Sequence, residues 1–162
     1  MSKLTIVAEP DSPFIDMTRD FDAPRELLLR AHTDPELVKQ WLGPRKYEMV
    51  IDHYDARDGG TYRYIHRDDE GHAYAFHGVF HGEPTIDGMV QTFEFEGAPG
   101  HVSLDSITFE DLGGGRTRIH GHSVHQSVAA RDAMTDSGMA AGIEDAYARL
   151  DELVERLGAP VA

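Results

Sequence analysis

From Tyr47 to Val124 the chain is a succession of short alternating segments separated by glycine turns, and this run limits the fold more than any other feature. The segments are YEMVIDHY (47–54), TYRYIHR (61–67), AYAFHGVFHG (73–82), MVQTFEFEG (89–97), VSLDSITFED (102–111) and RTRIHGHSV (116–124). Side chains in an extended chain point alternately to two faces, so a period of two marks half-buried strands. Asp58-Gly59-Gly60, DDEG (68–71), TIDG (85–88) and Gly113-Gly114-Gly115 supply the turns of an antiparallel meander. FIDMTRDF (14–21) adds a seventh strand, with Ile15, Met17, Arg19 and Phe21 on one face. One face of such a sheet must be covered. The cover is the longest apolar stripe in the chain: Ile143, Ala146, Tyr147, Leu150, Leu153, Val154 and Leu157 recur at helical spacing. One long helix from about Val128 to Leu157 is predicted, capped by Ser127 and stopped by Gly158 and Pro160.

Two short helices are predicted between the first strand and the meander. Pro24 suits a first helical turn and Asp22 a cap, and Leu27, Leu28 and Ala31 form a stripe. Asp34 and Pro35 start the second, in which Leu37, Val38, Trp41 and Leu42 recur before Gly43-Pro44 ends it. Residues 1–13, with Pro10 and Pro13, read as a loose lead-in to a single domain over residues 14–158. The fold class is therefore α+β.

The absence of cysteine excludes disulfides, thiolate metal sites and cysteine nucleophiles, and fits a reducing cytoplasm. A net charge of -14 repels phosphate backbones and anionic lipid, arguing against a nucleic-acid partner. No segment approaches the roughly 20 apolar residues of a membrane helix, so membrane insertion is not expected. The N-terminal residues lack the apolar run of a signal peptide.

The segments FDAPRELL, PELVKQWLGP, DARDGGTYRY, GGGRTRI and SGMAAGIEDAYARLDELVERL, in this order, resemble the activator-of-heat-shock-protein-ATPase-homologue-like family. That family belongs to the START-like, pollen-allergen-like helix-grip superfamily, also called SRPBCC. The resemblance runs from about Ile15 to Leu157. It implies a curved seven-stranded sheet gripping a long C-terminal helix, two short helices plugging one end, and often a cavity for a lipid, hormone, polyketide or other apolar molecule. Some members are cyclases or hydrolase-like enzymes, and one branch stimulates a chaperone ATPase. Two positions depart from the family pattern. Ile143 follows Gly142 where a tryptophan is usual, and the fifth-strand aromatic is Phe93.

Alternation aims Tyr62, Tyr64, Phe76, Phe80, Phe93, Phe95, Ile107 and Ile119 at the terminal helix, whose facing residues include Met139 and Ile143. Gly78 and Gly121 share that parity, and Gly138 and Gly142 lie on the helix. These glycines either leave room for an apolar pocket rimmed by tyrosine hydroxyls or let helix and sheet pack without a cavity. Trp41 stands where the helical plug meets the mouth of the grip; it either packs the plug onto the sheet or touches a ligand, and packing is the commoner use of a large aromatic.

Polar residues fall on the same face. Arg19 and Asp55 share parity with apolar neighbours and suit a structural ion pair or the polar end of a pocket. His66 and His125 have inward parity. The pairs His120/His122 and His77/His81 take the opposite parity, facing water, and lie on strands too far apart to share one ion, so no metal site is assigned. No nucleophile elbow, zinc-protease motif or phosphate loop is present, and no catalytic residue or cofactor is assigned. The leading expectation is binding of a small, largely apolar molecule between sheet and helix. The alternatives are a chaperone-partner activator working through its surface, an enzyme using His66, Arg19 or Asp55 in the cavity, and a homodimer built on an apolar edge.

Overall fold

The computed structural model describes residues 2–158. In chain order it comprises β1 (Thr5–Val7), β2 (Phe14–Phe21), α1 (Arg25–Thr33), α2 (Pro35–Val38), β3 (Glu48–Tyr54), β4 (Thr61–Arg67), β5 (Ala73–Thr85), β6 (Gly88–Phe95), β7 (Val102–Gly113), β8 (Arg116–Val124), α3 (Val128–Thr135) and α4 (Met139–Gly158). The strands form one antiparallel sheet in the order β1-β2-β8-β7-β6-β5-β4-β3. The architecture is α+β, a large antiparallel sheet with a C-terminal helix, consistent with a helix grip.

The sheet has eight strands rather than the expected seven. The additional one lies in the lead-in, where Thr5, Ile6 and Val7 pair with Thr18, Met17 and Asp16. Three residues are too few to show alternation, but the unpaired N–H and C=O groups along β2 accept any extended neighbour. Arg131 of α3 secures the same segment. Its guanidinium is buried and donates to the Phe14 and Glu9 carbonyls, both at 2.8 Å.

The predicted single terminal helix is two. α3 starts as expected, with the Ser127 hydroxyl accepting from the Ala130 N–H. Gly138 then takes a φ of +83°, a left-handed conformation that separates the end of α3 from the start of α4. The described part of α4 runs to Gly158, and Pro160 lies outside the described residues. Asp22 does not cap α1. Pro24 occupies the cap position without a side-chain bond, and Asp22 instead accepts from Arg116. Asp34 does start α2, its carboxylate accepting from the Glu36 N–H at 3.0 Å.

The core fills one half of the grip. Phe21, Tyr62, Phe80, Met89, Phe109 and Ile119 project from one end of the concave face. Leu28 and Ala31 of α1 meet them, with Tyr147, Leu150, Leu153 and Val154 of α4. Burying each such side chain stabilises the fold by about 1.5–3 kcal/mol relative to exposure. The other half of the same face, over the opposite strand ends, is only partly covered.

Candidate functional site

Gly43 sets the boundary of the open half. At a φ of +93° it turns the chain from the helical plug into the sheet, and its missing Cβ leaves space that the His66 ring occupies. An added Cβ would lie 2.5 Å from His66 Cε1. Arg149 of α4 donates to the Gly43 carbonyl at 2.8 Å, tying the plug to the helix.

Beyond this boundary the residues Phe76, Phe93, Phe95, Ile107, Met139 and Ile143 are all partly buried. Phe76 lies at the centre of the aromatic group, 5.3 Å from Tyr64, 5.4 Å from Phe93 and 5.3 Å from Phe95. Where these rings reach the surface, Tyr47, His66, Tyr74, Phe76 and Phe95 line an open hollow of about 250 Å³. A second hollow, about 310 Å³, lies outside the grip between α2 and β3. Its lining of Pro35, Glu36, Lys39, Met49, Val50 and Ile51 offers no ring face and no buried polar group, so the first is the better candidate.

The expected lining residues divide between the two halves. Trp41, Tyr62, Phe80 and Ile119 belong to the packed core, and Trp41 is 4% exposed. Tyr64 is buried at the boundary. The glycines do not open a cavity. A Cβ on Gly78 would strike the Thr92 carbonyl and come within 2.7 Å of the Tyr62 ring, and one on Gly121 would meet Met17 at 3.0 Å. Gly142 faces Pro44 rather than the sheet. The Tyr62 hydroxyl, expected as an anchor, is committed to the Thr92 carbonyl at 2.7 Å.

The polar expectations also change. Arg19 does not meet Asp55. Its guanidinium lies over the Phe21 ring and 3.7 Å from Asp151 of α4. Asp55 is exposed in the β3–β4 connection and accepts from Arg57 at 2.8 Å. His66 is buried, stacked 5.6 Å from Tyr47, and its Nε2 has no hydrogen-bond partner. Burial, reinforced by the Arg149 charge, lowers its pKa to about 4, so the ring is neutral at pH 7. The outer histidines face water as expected, paired with acids: His77 with Glu96, His120 with Glu110 and His122 with Asp16.

A polar row that sequence reasoning missed crosses the floor of the open half. Gln91, Asp105 and Ser123 are register partners on β6, β7 and β8. Ser103, two residues before Asp105 and on the same face, donates its hydroxyl to the Asp105 carboxyl at 3.0 Å. Ser123 faces Asp105 from the neighbouring strand and acts to lower its pKa. Burial nonetheless dominates and raises the Asp105 pKa above the ordinary carboxylate value, the two hydroxyls and the His125 charge opposing it. The available signal was parity: Asp105 alternates with Ile107, and Ser123 with Gly121. A search for apolar inward residues passes over them.

The family profile of Activator of Hsp90 ATPase homolog 1-like proteins matches residues 22–155. The chain belongs to this family. Solved structures agree with the assignment. A Rhodobacter sphaeroides protein is 25% identical with a TM-score of 0.86, the match covering 95% of this chain and 99% of that one. A Chromobacterium violaceum protein is 25% identical with a TM-score of 0.78 over 88% of this chain and 97% of that one. A Mycobacterium smegmatis protein, 21% identical over 95% of this chain and 97% of that one, shares the fold with a TM-score of 0.84. Among curated proteins none matches the chain. Within this Activator of Hsp90 ATPase homolog 1-like domain, the two departures noted in the sequence, Phe93 and Ile143, both fall in the open half.

Proposed function

We propose that the chain binds a small, largely apolar molecule in the open half of the grip, between the β4–β8 ends of the sheet and the start of α4. The observation that carries this reading is the uneven cover of the concave face. Tyr62, Phe80 and Phe109 are sealed at one end, while Phe76, Phe93, Phe95 and Ile107 remain partly exposed at the other. A row of aromatic rings left half-open toward water is costly unless something covers it.

The test has two parts. Native mass spectra of freshly purified protein, gentle against denaturing, would reveal a co-purified molecule. Titration with N-phenyl-1-naphthylamine, followed by amide chemical shifts, is expected to move resonances of Phe76, Phe93, Phe95, Ile107 and Ile143. Ile143→Trp, which fills the space, is expected to weaken the probe about ten-fold. Shifts confined to the convex face or to the α2–β3 hollow would overturn the reading.

A further inference from the structure

We propose that the molecule taken by this cleft is an amine, an apolar and preferably aromatic body carrying one cationic nitrogen that Asp105 receives. The inference rests on the cleft reading above and specifies its ligand class. Asp105 is the fourth residue of β7, partly exposed, with Gln91 and Ser123 as its register partners and Ser103 and Ile107 on the same face of its own strand. A carboxylate in such surroundings requires a partner. The Ser103 hydroxyl satisfies one of its oxygen lone pairs but brings no positive charge. The arginines on this side of the sheet are engaged elsewhere, Arg19 with Phe21 and Asp151, Arg131 with the Phe14 and Glu9 carbonyls, and Arg149 with the Gly43 carbonyl. His125 also acts to lower the Asp105 pKa, but its own ring nitrogen meets the Pro13 carbonyl at 3.3 Å. Asp105 is itself partly exposed and, among the described residues, forms no ion pair, which leaves its charge to a cation from outside the chain.

Two further features favour the same chemistry. The stacked rings of Tyr64, Phe76 and Phe93 lie beside the row, and a free ring face attracts a cation through its quadrupole as well as an apolar body through contact. The net charge of -14 steers cations toward the molecule and anions away. An apolar acid, the other common amphiphile of this size, would meet Asp105 as a like charge.

The experiment compares three probes of one shape at pH 7.5, 1-naphthylmethylamine, 1-naphthalenemethanol and 1-naphthylacetate, by calorimetry and chemical-shift mapping. The amine is expected to bind at least ten-fold more tightly than the alcohol, and the acid least. Asp105→Asn is expected to remove the amine's advantage while leaving the alcohol's affinity within about two-fold. Asp52→Asn, an equal change of charge on an exposed residue, should leave the advantage intact, which separates a local partner from the general field. An alcohol that binds as well as the amine, or an amine advantage that survives Asp105→Asn, overturns the amine assignment and leaves the cleft reading standing. If none of the three shifts a cleft resonance at millimolar concentration, both are overturned.

Discussion

The Trp41 indole donates its N–H to the Ala31 carbonyl at 2.9 Å, closing the turn between the two plug helices from inside. Ala31 lies in the last turn of α1, where carbonyls have no helical partner, so the only tryptophan of the chain satisfies a backbone group that burial would otherwise orphan. The indole also packs 4.8 Å from His32 and 6.1 Å from Tyr147. This is the role of the residue at the end of the plug: it fastens the plug to the closed half and does not reach the cleft.

Trp41→Phe keeps much of the packing and loses the hydrogen bond. An unsatisfied buried carbonyl costs about 1–3 kcal/mol, and a lowered urea midpoint at unchanged slope is the expected result. A variant of unaltered stability would show that the bond contributes nothing net.

Two glycines respond oppositely to alanine. At Gly78 a methyl group strikes the Thr92 carbonyl on the neighbouring strand and the Tyr62 ring, neither of which can withdraw without disturbing the sheet. Gly78→Ala is expected to cost about 3 kcal/mol. At Gly142 the methyl group meets only Pro44 Cγ at 3.5 Å, an ordinary contact, inside the helical span of α4. Gly142→Ala is expected to stabilise by about 0.5–1 kcal/mol through helix propensity and a stiffer unfolded chain. Thermal unfolding of the two variants side by side reads both signs, and equal effects would refute the contact geometry.

The contrast shows what the sequence made legible. Strand order, the meander turns, the Ser127 and Asp34 caps and the water-facing histidines all follow from local patterns, because period, parity and capping are properties of neighbouring residues. β1 was hidden because its only evidence is the partner it finds on β2. The break at Gly138 was hidden by the continuous stripe on either side of it. At the site, Phe76, Phe93, Phe95 and Ile107 were legible by alternation, but their division from Tyr62 and Phe80 depends on where the α4 helix ends its contact with the sheet. The Arg19–Asp55 pairing failed for a related reason. Parity says which face a charge occupies, not which partner the fold carries to it, and for Arg19 that partner arrives from α4.

Acid should weaken the fold through two buried imidazoles. Burial lowers the pKa of His32 from 6.5 to about 4, and His66 is lowered to about the same value. A folded pKa below the unfolded one means that the unfolded chain binds the proton first. The stabilisation is complete above pH 6.5, declines between 6.5 and 4, and is gone below, up to about 3 kcal/mol for each ring. His32→Phe, which preserves contact with Trp41 and Phe109, should flatten part of that decline. Glu96, pulled from 4.5 to about 2 by Arg63 and His77, acts from about pH 4.5 downward and touches only the acid end of the window. Urea midpoints at half-unit steps from pH 7 to 4 check this, and an identical slope in the variant would remove His32 from the account.

Asp105 works in the opposite sense, which makes it the most telling position for function. Its pKa is raised by burial above 3.8, so the folded state holds the proton more tightly than the unfolded one. The favourable contribution is complete below the unfolded value and is lost as pH rises through the folded value; above both, the ionised carboxylate burdens the fold. Asp105→Asn retains an acceptor for the Ser103 hydroxyl without the charge. It is expected to raise Tm at pH 8 by a few degrees, about 2–4 °C for each kcal/mol recovered in a chain of this size, and to lose that advantage near pH 4. A side chain that costs stability when the cleft is empty is retained for what it does when the cleft is filled, the usual relation between strained sites and activity. Should Asn instead be the less stable residue at both pH values, the carboxylate would be a structural partner of the two serines, and the case for its waiting on a cationic ligand would fall with it.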